Sequence, residues 1–207
     1  MTKIVKVLRA GSLAVAPGGE EDMARAAEVA RWTHMWAAAA VHTCRQLEST
    51  WDDDAPVASV GARDCLSLVL VDAIRNVVRG AEKVCGRDSE AVRTFVAAQP
   101  TLKTLRDRFE HFDVYVVGNG NAQRDNGKPL DLDVPSGVHV ASSHGGGDQG
   151  HVVVVRAAEK SGPTDYTFAS RSATDAARVL TWETLLAAGL LDERHARCDT
   201  CKKPSHA

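Results

Sequence analysis

Arg106, Asp107, His111 and Tyr115 are the side chains of this chain whose types and spacing best suit chemistry. Asp107, His111 and Tyr115 follow one another at steps of four, so on a helix they stack along one face. A carboxylate one turn from an imidazole orients the ring and favours its protonated form. Arg106 adds a permanent cation whose planar fork suits a phosphate. Together they make an acid/base and anion-binding set. Residues five apart on an ideal helix differ by about 140° in direction, so one straight helix cannot aim Arg106 and His111 at a single phosphate. A second copy of the chain removes that difficulty. The plainer alternative is a pair of solvated contacts at helical spacing, Arg106 with Glu110 and Asp107 with His111.

The element that carries these residues is legible from the apolar positions beside them. Leu102, Leu105, Phe109, Phe112 and Val116 alternate steps of three and four, which predicts a helical segment within 102–120 with a buried stripe distinct from the polar face. Three helices are predicted upstream. Alanine-rich Glu20 to Ser49 follows a Pro17-Gly18-Gly19 break and carries Met23, Ala27, Ala30, Met35, Ala38, Val41 and Leu47 at helical intervals. Ser59 to Cys85 has an apolar face wide enough to imply burial on more than one side, and Gly86 closes it. Asp88 or Ser89 can cap a short helix through Ala98, which Pro100 separates from the next. Trp32, Trp36 and Trp51 are expected in the core or at a helix–helix interface.

A polar loop rich in glycine and asparagine follows Gly118. Val138 to Ser142, His151 to Arg156 and Tyr166 to Ser170 are predicted strands of an antiparallel meander, joined by the His144 to Gly150 turn and by Ser161-Gly162-Pro163. Ser172 and Asp175 have capping-box spacing before a helix over Ala176 to Ala188, ended by Gly189. The expected class is α+β: an N-terminal helical bundle over 1–120, then over 121–207 a loop, a small antiparallel sheet, a C-terminal helix and a tail, packed on the bundle as one domain.

Composition excludes several classes. The 207 residues are 44% hydrophobic and 25% charged, the balance of a globular domain rather than a disordered one. A formal net charge of -2 gives no global electrostatic footprint for nucleic acid, so such a substrate would need a local basic cleft. No apolar run reaches the roughly 18 residues of a membrane span, and Lys3, Lys6 and Arg9 interrupt the only leader-like stretch. A cytoplasmic protein without a membrane partner is expected. Cys44, Cys65 and Cys85 sit singly in helical segments, where a small buried thiol is the ordinary role. The tail holds His195, Cys198, Cys201 and His206, half the vocabulary of a zinc site. An incidental or redox-active pair and a frayed chain end are the other readings. His139, His144 and His151 lack an acidic ligand at useful spacing, and Gly145 to Gly147 lack the lysine of a phosphate-binding loop.

The hexapeptide RDRFEH at 106–111, an arginine, a polar residue, three further residues and a histidine, resembles the signature of the HEPN superfamily of small helical domains. The resemblance covers roughly residues 20–120. Asparagine is the commoner residue where this chain has Asp107, and the strand-rich segment is not part of the minimal helical fold. What the resemblance implies is a homodimer whose two motifs face each other, and metal-independent endoribonuclease activity in a toxin or phage-defence system, with no cofactor. His111 would then be the acid/base, Arg106 the phosphate stabiliser, Asp107 the supporting polar residue and Tyr115 a contact to substrate. RNA would be the substrate, and an antitoxin or regulatory protein a further partner. The alternative from another class is a non-catalytic dimeric interaction or ligand-binding module with an inactive fold of this kind.

Overall fold

A computed structural model describes residues 20–50, 60–110, 138–141, 150–159 and 162–191. The class is α+β: among the described residues, four helices are followed by a three-stranded antiparallel sheet and a final helix. These are α1 (Glu20–Ser49), α2 (Val60–Val84), α3 (Glu90–Ala98), α4 (Leu102–Glu110), β1 (Val138–Ala141), β2 (Val152–Glu159), β3 (Gly162–Ala169) and α5 (Ser170–Ala187).

Local chemistry accounts for most of the ends. Glu20, Glu21 and Asp22 oppose the positive end of the α1 dipole, and Arg25 pairs back to Glu21. The Thr50 hydroxyl donates to the Leu47 carbonyl at 2.7 Å and so occupies an orphan acceptor of the last turn. Of the two candidate caps for α3 it is Ser89 that serves, its hydroxyl accepting from the Val92 N–H at 3.4 Å. Gly86 after α2 (φ 90°) takes the left-handed conformation. Gly189 (φ 68°) does the same in a two-bond helix stop, with Leu190 N–H on the Leu185 carbonyl and Gly189 N–H on the Leu186 carbonyl.

Two compact units divide the chain, with boundaries inside α1, α2 and α5. In the first, α1 as far as Ala38, α2 from Asn76, α3 and α5 from Ala176 bury Ala30, Val77, Ala81, Phe95 and Leu180. Thr33, Thr181 and Thr184 are also buried there, each hydroxyl satisfied by the carbonyl four residues earlier in its own helix. Gly80 of α2 faces Thr33 of α1 so closely that an added Cβ would stand 1.9 Å from the Thr33 hydroxyl oxygen.

Gly80→Ala therefore sets two effects against each other. Alanine gains about 1 kcal/mol of helix propensity, while overpacking a filled core costs about 1–3 kcal/mol. Thr33 is 1% exposed and its hydroxyl is committed to the Val29 carbonyl at 2.8 Å, so it cannot swing aside cheaply and the steric effect wins. A net loss of about 1–2 kcal/mol in urea unfolding is expected, and Thr33→Ala in the same chain should recover most of it by making room.

The second unit holds the rest of α1 and α2, α4, the sheet and the first residues of α5. Its core includes Leu47, Leu70, Ile74, Leu102, Leu105, Val153 and Phe168. Val153 and Phe168 are register partners on the buried face of the β2–β3 pair. β2 is central, with β1 and β3 at the edges.

Four expectations need correction. β3 begins at Gly162 rather than Tyr166; Pro163 lies within it, and an edge strand accommodates a residue that has no N–H to donate. The last helix starts at Ser170, directly off β3, so Ser172 sits inside α5 and caps nothing. The buried line of α1 runs through Ala30, Thr33, Ala37, Ala40, Cys44 and Leu47, while Met23, Trp32 and Met35 are exposed. Burial there follows small size and close helix approach more than hydrophobic type. Cys65 is exposed, and Leu68 and Val69 beside it are open as well, so the outer side of the wide α2 face is not covered throughout.

Candidate functional site

α4 is positioned from both its start and its side. Leu102 and Leu105 are buried, and the Thr101 hydroxyl just before the helix donates to the Thr167 carbonyl of β3 at 2.6 Å. The stripe expected from Leu102 and Leu105 is therefore present; the side chain of Phe109 and the positions of Phe112 and Val116 lie outside the description.

On that helix Arg106 and Asp107 come together, Nη1 to Oδ1 at 3.6 Å. The Arg106 side chain is 19% exposed and its Nε is buried, whereas Asp107 is 45% exposed. Arg106 has further interactions besides this one. An arginine embedded in this way has little rotamer freedom left to lose on binding an anion. The 3.6 Å contact is looser than a bidentate ion pair. His111 follows immediately after Glu110, the last residue of α4, and His111 and Tyr115 lie outside the described residues. His195, Cys198, Cys201 and His206 do so too. Among the described residues no three His, Cys, Asp or Glu side chains form a metal-binding group, and no helix is long and apolar enough to cross a membrane.

A second polar cluster, absent from the reading of the sequence, lies where the end of α1, the start of β2 and the start of α5 meet. Arg171 Nε and Nη2 donate to the two Glu48 carboxylate oxygens at 3.1 and 2.8 Å. The Cys44 thiol lies 3.8 Å from Glu48 Oε1. Burial pushes this thiol upward from its ordinary pKa, Thr174 hydrogen bonding counteracts it, and the Glu48 charge raises it again. Hydrogen bonding to Glu48 likewise holds Arg171 upward. At neutral pH the Cys44 thiol is protonated, which makes it a poor nucleophile and leaves the cluster a clasp. Cys85 is raised in the same way, by burial first and the Glu183 charge after the opposing Thr184 hydrogen bond. Glu48 and Arg171 are 123 residues apart, and no local pattern announces their pairing.

Compared with protein-family models, with curated proteins and with solved structures, the chain matches none.

Proposed function

We propose that the chain is a metal-independent endoribonuclease of the toxin or phage-defence type, with its site completed across a homodimer. The observation that supports this is the seating of Arg106: embedded on the helix that buries Leu102 and Leu105, beside Asp107, which precedes His111 by four residues in the sequence. In this reading His111 takes the 2′-hydroxyl proton of RNA, the O2′–P bond forms, the P–O5′ bond breaks, and the same proton passes to the departing O5′. The products are a 2′,3′-cyclic phosphate and a 5′-hydroxyl end. Arg106 stabilises the charge that builds on the phosphoryl oxygens, Asp107 supports the arginine and the imidazole, and Tyr115 contacts the substrate. A regulatory or antitoxin protein is the expected natural partner.

The decisive experiment incubates mixed RNA in chelator with wild type and with His111→Ala. Wild type should cleave, and the variant should be slower by about 10²–10⁴-fold, the usual contribution of a positioned acid/base. Equal survival of RNA with both proteins, or cleavage abolished by the chelator, would remove this reading. The large apolar side chains left open on α1 favour a second reading, a non-catalytic dimeric interaction module; it expects RNA to survive in every arm.

A further inference from the structure

α2 carries its cations in line. Arg75, Arg79 and Lys83 follow one another at steps of four, about 6 Å apart along the axis, and Arg87 continues the run just past the helix end. Like charges at this spacing repel, and the helix dipole offsets that at Lys83 in the last turn but not at Arg79. Arg79, Lys83 and Arg87 are all exposed. Arg87 meets Glu82 only at 3.9 Å, and among the described residues no carboxylate pairs with Arg79 or Lys83. We propose that this row, with Trp32 of α1 beside it, binds a single strand of RNA: the cations take successive phosphates and the indole stacks on a base.

The close approach of Thr33 and Gly80 places the indole. α1 and α2 run antiparallel, joined where Arg63 Nε donates to Thr50 Oγ1 at 3.2 Å, and equal lengths of helix lead from that join back to Thr33 and on to Gly80. Trp32 and Arg79 each come one residue before those two contact residues. In an antiparallel pair of right-handed helices such residues turn to the same side, and Trp32 falls between the levels of Arg79 and Lys83. The core takes the other side of α2, where Val77, Ala81 and Val84 are buried. Trp32 is 55% exposed, and an open indole between two cations is a stacking platform beside a phosphate track. A purely acidic partner would use the cations and have no need of the flat ring. Exposed Glu28, one turn before Trp32, is the opposing charge on α1; Glu21 and Asp22 are engaged by Arg25. The row supplies locally the positive charge that a formal net charge of -2 denies the chain as a whole. The choice of RNA over DNA rests on the nuclease reading; the surface itself does not.

The test is fluorescence anisotropy of a short labelled oligouridylate with the full chain carrying His111→Ala, in chelator, so that the probe stays intact. Affinity should fall with salt, the slope of log K against log salt being about 0.7 for each phosphate engaged. Adding Arg79→Gln or Lys83→Gln should each weaken binding and flatten that slope by about 0.7. Trp32→Ala should weaken binding about 10-fold with the slope unchanged, and Trp32→Phe should keep most of the affinity. Glu28→Gln should tighten it. All four positions are exposed, so circular dichroism should be retained. The proposal is overturned by a slope that neither glutamine variant changes, or by a Trp32→Ala chain that binds as tightly as its parent. Inorganic polyphosphate that displaces the probe as well as unlabelled oligouridylate, phosphate for phosphate, would also overturn it, since that is the behaviour of a plain anion or acidic-protein surface. RNA cleavage by wild type with no such losses in the binding series would count against the surface alone, whereas binding as expected by a wild type that leaves RNA intact would count against the nuclease alone.

Discussion

Mixing Arg106→Ala chains with His111→Ala chains is expected to restore about a quarter of wild-type cleavage, although each variant alone should be slower by about 10²–10⁴-fold. The number follows from symmetry. After subunit exchange at equal amounts, about half of the dimers are mixed, and one of the two composite sites in each has an intact arginine from one chain and an intact histidine from the other. Were both groups to act from the same chain, every site in a mixed dimer would lack one of them and mixing would restore nothing. The comparison therefore separates the two-chain geometry from the chemistry itself. Circular dichroism of each variant belongs with the assay, because Arg106 is embedded and its removal can be felt by packing.

Gly150→Ala should have the largest effect on stability, a loss of about 3 kcal/mol in urea unfolding. Gly150 has φ 72°, and any L side chain there is strained by about 1 kcal/mol or more. Crowding adds the larger share. A Cβ would stand 2.6 Å from Arg171 Cβ, 2.8 Å from Glu48 Oε1 and 2.9 Å from the Arg171 backbone nitrogen. Two of those atoms belong to the backbone or its first carbon at the start of α5 and cannot rotate away. Gly150→Asn distinguishes the contributions, because asparagine tolerates left-handed backbone yet carries the same Cβ; most of the loss should remain. An unfolding midpoint equal to wild type for either variant would show that the clasp does not close as described.

How far the sequence could be read depended on the range of the interactions concerned. α1, α2 and α3 end within a residue or so of where acidic first turns, glycine stops and a serine cap place them, because such signals act over one turn. The strands were also legible from their β-branched runs, and only the edge position of β3 makes room for Pro163, a fact about topology that no local window contains. Trp32 shows the limit of residue type as a guide, since its hydrophobicity suits a core or an interface and only the packing of α1 decides against the chain's own core. At the candidate site, Arg106 and Asp107 were legible as neighbours but the embedding of the arginine was not. The clasp of Glu48 with Arg171 was invisible, because a pair separated by 123 residues leaves no periodic trace.

That separation has a consequence for synthesis. α1 is made early, yet the partner that neutralises Glu48 and helps cover Cys44 is not translated until residue 171, so for most of elongation the carboxyl end of this helix waits without its counter-ion. At the ordinary pace of about 5–20 residues per second, the gap of 123 residues keeps that end open for several seconds or more. A nascent chain arrested before Arg171 should accordingly be far more sensitive to protease around Glu48 than the finished protein, which makes the time before closure, rather than the strength of the final contact, the quantity on which safe folding turns.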